Sequence, residues 1–219
     1  VLTSRGLGDV YKRQENKVDR EIVEAWLEAA TAAGYRRTVD YNREDQEGVG
    51  YFQMTMKNGR RCSSAAAYLK PARKRSNLHI FTNAHSEKLL IDGNDVTGVR
   101  CKIHGKSVDI SARREVILSA GSIGSPQLLM LSGIGDAAEL RPHGIDVLHH
   151  LSGVGKNLQD HLQARPVFKC RSSTINTETK NMFQLAAIAF QYVLNRSGPM
   201  AMAASLGTGF LKTHDELEC

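Results

Sequence analysis

Glu115-Val116-Ile117-Leu118-Ser119-Ala120-Gly121-Ser122-Ile123-Gly124-Ser125-Pro126-Gln127-Leu128-Leu129-Met130-Leu131-Ser132-Gly133 is the stretch on which the fold turns. Its first five residues form a short, β-branched apolar run between Arg113-Arg114 and Ala120-Gly121, the pattern of a buried parallel strand. Ser125 followed by Pro126 reads as a helix N-cap and first helical position, with 127–131 a short helix ended by Gly133. A strand that ends on glycine lets the chain turn tightly and lets a ligand approach the backbone. Free amides at the start of the next helix then favour an anion such as pyrophosphate. An ordinary strand-to-helix turn, in which the glycine only packs, uses the same residues, and both readings stay open on the residues alone.

Working outward, the residues before this unit read as strands in succession at 78–82, 88–91, 96–103 and 108–110. Asp92-Gly93-Asn94-Asp95 and Gly105-Lys106 supply turns, so 88–110 is expected to be a three-stranded meander. Nearer the start, Ile22, Val23, Ala25, Trp26, Ala29, Ala30 and Ala33 recur with helical period, acids gather at the N-terminal end, and Gly34 closes the helix. Trp26 is expected as a core anchor. Residues 49–56 alternate like a strand, Asn58-Gly59 signals a turn, and Ser63-Ser64 can cap a helix through Leu69 that Pro71 stops. The fold class is therefore α/β, α+β overall.

Composition sets the outer bounds. With 219 residues, 41% hydrophobic and 24% charged, the chain is globular, and disordered, collagen-like and low-complexity readings are excluded. The longest apolar stretch, 182–194, carries Gln184 and Gln191 and is shorter than the roughly 18 to 20 residues of a membrane span, so a buried helix is expected. Cys62, Cys101, Cys170 and Cys219 form no CxxC pair, which argues against a zinc ribbon or a disulfide framework and for a reducing, cytoplasmic setting. The net charge of +6 is spread along the chain, so a nucleic-acid surface is not expected.

Several motif matches fail on context. Gly133-Ile134-Gly135-Asp136-Ala137-Ala138 fits GxGxxA but follows a helix rather than a strand, and Gly105-Lys106-Ser107 is a hairpin turn. Asn195-Arg196-Ser197 is a glycosylation sequon only in a secreted protein. His149-His150 would face opposite sides of a strand, no HxxxH or HExxH spacing exists, and no metal site is expected. Asp160-His161 reads more simply as part of a structural polar network than as an acid–base pair.

Both ends look like joins. Asp9-Val10-Tyr11-Lys12-Arg13-Gln14 is the translation of GATGTGTATAAGAGACAG, the transposase mosaic end of sequencing libraries, so residues 1–14 are expected to be a sequencing artefact that a clean genomic read would remove. Without Arg5, Lys12, Arg13 and Asp9 the charge balance falls to +4. The end at Thr213-His214-Asp215-Glu216-Leu217-Glu218-Cys219 has no Gly or Pro stop, and the chain is expected to be an internal fragment.

Gly121-Ser122, Ser125-Pro126, Leu128-Leu129 and Ser132-Gly133-Ile134-Gly135 match every specified position of the second signature of the glucose-methanol-choline (GMC) oxidoreductases. The likeness continues in Gly59-Arg60-Arg61-Cys62-Ser63-Ser64-Ala65, Ala67-Tyr68-Leu69-Lys70-Pro71-Ala72, Asn77-Leu78 and Gly153-Val154-Gly155-Lys156-Asn157-Leu158-Gln159-Asp160-His161. The sequence thus resembles that family over almost everything after residue 15, most of all its choline-dehydrogenase-like and aliphatic-alcohol dehydrogenase branch.

The resemblance implies an FAD-binding domain with a Rossmann-type sheet and a β-meander, interleaved with a substrate domain on an antiparallel sheet. Residues 15–135 would be the middle of the first domain and 136–219 the start of the second. It implies FAD contacts from the backbone around Ser86 and from the turn Ala120-Gly121. The family's GxGxxG fingerprint would precede residue 15, and its catalytic His with a His or Asn partner would follow Cys219, so no catalytic residue is assigned here. The implied reaction is oxidation of an alcohol, choline or an aliphatic alcohol, to the aldehyde or ketone, with a quinone or oxygen as final acceptor. Peripheral contact with the inner membrane stays open. A hydroxynitrile-lyase-like member that keeps FAD without redox use, or a non-catalytic flavin-binding remnant, are the alternatives. The chain alone is expected to bind FAD weakly or not at all and to be inactive.

Overall fold

The computed structural model describes residues 13–14, 19–202 and 205–213, the first two by backbone only. Of the joins expected at the ends, residues 1–12 and 214–219 lie outside the described residues. In chain order the elements are β1 (Arg13–Gln14), α1 (Glu21–Ala32), β2 (Gly48–Tyr51), β3 (Met54–Lys57), β4 (Arg60–Arg61) and a π-turn (Ala65–Leu69) running into α2 (Lys70–Ala72). Then come β5 (Ala84–Asp92), β6 (Asp95–Ile103), β7 (Lys106–Ser111), α3 (Gly121–Leu131), β8 (Ile134–Gly135), α4 (Ala137–Leu140) and β9 (His149–His150). The last are α5 (Ile175–Glu178), α6 (Met182–Asn195) and β10 (Gly207–Phe210). Two compact units result, 1–78 with 167–219 and 79–166, so the boundary expected at 135/136 falls inside the second.

In the first unit β2 pairs antiparallel with β10, while β3 turns back into β4 through Asn58-Gly59, both at positive φ, and its other edge takes β1. The residues 49–56 thus form two strands rather than one, with Phe52 N–H leaving the ladder to donate to Leu206 O at 2.7 Å. Helix α1 carries Glu21 and Glu24 in its first turn, where they favour the helix dipole, and Gly34 at φ +96 ends it. Its fully buried residue is Leu27, whereas Trp26 is 44% exposed and lies flat against β10. A Cβ at Gly207 would stand 3.3 Å from the Trp26 ring. Trp26 is therefore a half-exposed cover, not the expected core anchor. Pro71 does not stop the helix before it: the helical run from Ala65 continues through Pro71 and ends one residue later, at Ala72. Helix α6 forms as expected but is not buried, with Phe183 87% exposed, since no described residue covers that face.

In the second unit the meander forms as read, in the order β5-β6-β7. Its turns are Gly93 and His104-Gly105 at positive φ. Arg100 grips both oxygens of Asp109 across the β6–β7 ladder at 2.6 and 2.7 Å, pinning the register, and this guanidinium holds the Asp109 carboxyl below the usual carboxylate range. The strand expected at 78–82 is displaced: the regular ladder starts at Ala84, after Asn83 at φ +54. The strand expected at 115–119 does not form. A strand exists only by its ladder, no described strand lies alongside these residues, and Ile117 is left 77% exposed. Beyond α3, β8 and β9 make a short parallel pair, and Asp136 caps α4 by accepting from Ala138 N at 2.9 Å.

Candidate functional site

The site expected from the sequence lies in the second unit, where α3 packs against β5. Helix α3 begins at Gly121, five residues earlier than the Ser125-Pro126 pair suggests. Ser125 is not the N-cap: its Oγ accepts from Ala120 N at 3.0 Å, bracing the turn that leads into the helix. Ala120 stands at the N-cap with no side-chain hydrogen bond to the first turn, so the opening amides of α3 face outward uncapped. Gly121 has φ +83, the left-handed conformation that glycine adopts freely, and nothing lies within 4 Å of where a Cβ would be. Glycine is therefore required here by backbone conformation and not by packing, and the space beside it is open to a ligand. An exposed, uncapped helix start next to a side-chain-free turn is chemically suited to a phosphate-bearing cofactor.

Ser86 sits in β5, opposite Cys101, at a register shift that leaves Glu87 bulged between Ser86 and Lys88. Bulges re-aim the backbone. Its Oγ lies 3.7 Å from Cys101 Sγ, and Glu87 accepts from Ser107 Oγ at 3.0 Å. Ala120 and Gly121 are thus joined in one turn, and Ser86 lies on the strand that packs against the same helix. No hydrogen bond links Ser86 to that turn among the described residues.

What the sequence reading missed is the joint between strand and helix. Ser132, buried at the C-terminal end of α3, donates to Leu128 O at 2.6 Å and accepts from Leu89 N at 2.8 Å. Leu89 faces away from β6 with this amide, so one hydroxyl closes the helix and covers the outer edge of β5. Gly133 follows at φ +83, where a Cβ would meet Asp146 O at 2.4 Å. Ser125, Ser132 and Gly133 of the signature thus brace the two ends of α3. Ser132→Ala is expected to destabilise this unit by about 2 kcal/mol, because the Leu89 amide is left buried without a partner. Hydrogen exchange at Leu89 should accelerate well beyond that at Val99; equal protection in both proteins would contradict the role.

Other residues singled out in the sequence take structural places. His150 Nδ1 accepts from Ala137 N at 3.1 Å, and Asp160 Oδ1 accepts from the His161 backbone amide at 2.8 Å, leaving the imidazole out of that contact. No group of three or more His, Cys, Asp or Glu that could hold a metal ion occurs among the described residues, and no described helix is long and apolar enough to cross a membrane.

The residues of the signature thus open and close α3, from left-handed Gly121 to Ser132-Gly133, beside the meander. The chain belongs to the GMC oxidoreductase family, whose profile matches residues 9–163. It is 42% identical over 214 residues, 98% of its own length, to an oxygen-dependent choline dehydrogenase of Staphylococcus xylosus, and 40% identical to one of Brucella ovis. It spans only 38% and 39% of those curated relatives. Among solved structures it superposes on an Aspergillus oryzae formate oxidase with TM-score 0.73 at 26% identity, covering 90% of this chain and 35% of that one. An FAD-dependent oxidoreductase of Chaetomium thermophilum matches with TM-score 0.78 over 89% of this chain and 35% of that one; at 24% identity this likeness speaks to fold alone.

Proposed function

We propose that this chain is part of an FAD-dependent enzyme that oxidises the CH–OH group of a small alcohol, choline or an aliphatic alcohol. The observation that carries the reading is the folded signature, in which Gly121 is left-handed with open space beside it and the first amides of α3 are uncapped. The 42% identity to an oxygen-dependent choline dehydrogenase supports the substrate class. Bound FAD supplies the acceptor for the two electrons of the alcohol carbon. In this reading the backbone of Ala120 and Gly121 meets the cofactor's dinucleotide, the bulged backbone at Ser86 meets its adenine end, and Ser132 holds strand and helix at the spacing both contacts need.

The test is the complete reading frame, recovered from the source DNA and expressed. Stoichiometric bound flavin that bleaches under anaerobic conditions on addition of choline or an aliphatic alcohol is the expected result, and reoxidation by oxygen or by a quinone identifies the acceptor. Flavin that is bound but not reduced by any alcohol tried would overturn the redox reading in favour of a lyase-like or non-catalytic relative.

A further inference from the structure

The hairpin β3–β4, Tyr192 of helix α6 and the turn Pro199–Ala201 line an open cavity of about 710 Å³ in the first unit, within the roughly 300–1,000 Å³ usual for small-molecule sites. Four methionines line it. Met54 and Met56 lie buried on one face of β3, and Met200 and Met202 flank the buried Ala201. The walls are braced rather than merely adjacent: Tyr192 Oη donates to Gly59 O at 3.1 Å, and the Arg196 guanidinium stacks 4.9 Å over the Tyr192 ring. A Cβ at Gly59 would stand 2.4 Å from Arg196 O, so glycine is needed for this close approach.

Charge at the cavity has one sign. Arg61, which the register sets opposite Met56 and so on the methionine face, lines it, exposed and in no ion pair among the described residues, whereas Arg60 is set opposite Lys57 on the other face. No Asp or Glu lines it, and none occurs anywhere in residues 48–86. Thioether side chains are unbranched, flexible and polarisable, and they adapt to an alkyl chain where branched side chains would not. Guanidinium groups match a carboxylate in geometry as well as charge.

We propose that this cavity binds an unbranched alkyl chain ending in a carboxylate, the chain lying among Met54, Met56, Met200 and Met202 and the carboxylate on Arg61. The six methionines of the chain give a site-resolved readout, since Met130 and Met182 lie outside the cavity and serve as controls. In the complete protein labelled with ¹³C-methyl methionine, dodecanoate is expected to shift the four lining methyls saturably and to leave Met130 and Met182 in place. Arg61→Gln should weaken dodecanoate by about tenfold or more while leaving dodecanol unchanged, and Arg60→Gln, on the other face of β4, should leave both unchanged. Silence of the four methyls, meaning that the remainder of the polypeptide fills the space, would overturn the proposal. So would movement of all six, the mark of detergent-like adsorption, or equal affinity for dodecanol and dodecanoate. Flavin content and bleaching of the same sample report on the redox reading separately.

Discussion

Gly133→Ala is expected to destabilise the unit 79–166 by about 3 kcal/mol or more. Two costs combine. An L-residue at φ +83 loses about 1–2 kcal/mol to clash between its Cβ and its own backbone. The new Cβ also lands 2.4 Å from Asp146 O, a backbone atom that cannot rotate away, and forcing that segment apart costs a similar amount again. Displacing it disturbs the neighbouring carbonyl of Gly133 too, which accepts from both Leu148 N and His149 N. Gly144 provides the internal control: its φ is +69, but nothing lies within 4 Å of its Cβ position, so Gly144→Ala should cost only the backbone part, about 1 kcal/mol. Thermal unfolding followed by circular dichroism distinguishes them, with a fall of roughly 10 °C or more expected for Gly133→Ala. Equal midpoints for the two variants would show that the close approach to Asp146 does not matter.

The elements legible in the sequence are those whose causes are local. The meander is readable because Asp92-Gly93-Asn94-Asp95 and Gly105-Lys106 signal tight turns between β-branched runs, and α1 because its apolar period and Gly34 lie within one segment. The misreadings have the opposite character. Residues 115–119 have the composition of a buried strand, but composition supplies no ladder, and no described strand stands beside them. Ser125-Pro126 is a sound N-cap pattern, yet the hydroxyl is taken by Ala120 N, and the helix starts on Gly121 instead. Trp26 is expected inside because it falls in the apolar period of α1, but it lies against Gly207 and Gly209 of β10 and keeps 44% of its surface exposed. Within the candidate site, the turn Ala120-Gly121 could be read from its residues, whereas the joint at Ser132 could not. Its partner Leu89 lies 43 positions away, and only the packing of α3 on β5 reveals it.

Gly121→Val in the complete protein is expected to abolish flavin retention while leaving the fold in place. Gly121 and Gly133 open and close the same helix with nearly the same φ, but they are glycines for different reasons. At Gly133 the chain itself fills the space a side chain would need; at Gly121 nothing of the chain does. A Cβ at Gly121 therefore meets no protein atom within 4 Å, and the cost of a valine is set mainly by the left-handed backbone, about 2 kcal/mol. Its isopropyl group projects instead into the open space before the uncapped amides of α3, where the dinucleotide is proposed to lie. Gly105→Val isolates the strain, because Gly105 has φ +80 and equally open surroundings but sits in the β6–β7 turn. Both variants should unfold at similar temperatures. After gel filtration the flavin-to-protein absorbance ratio should match the parent for Gly105→Val and fall about tenfold or more for Gly121→Val. Full flavin retention by Gly121→Val would place the cofactor elsewhere and remove this turn from the site, whatever the complete protein then does to an alcohol.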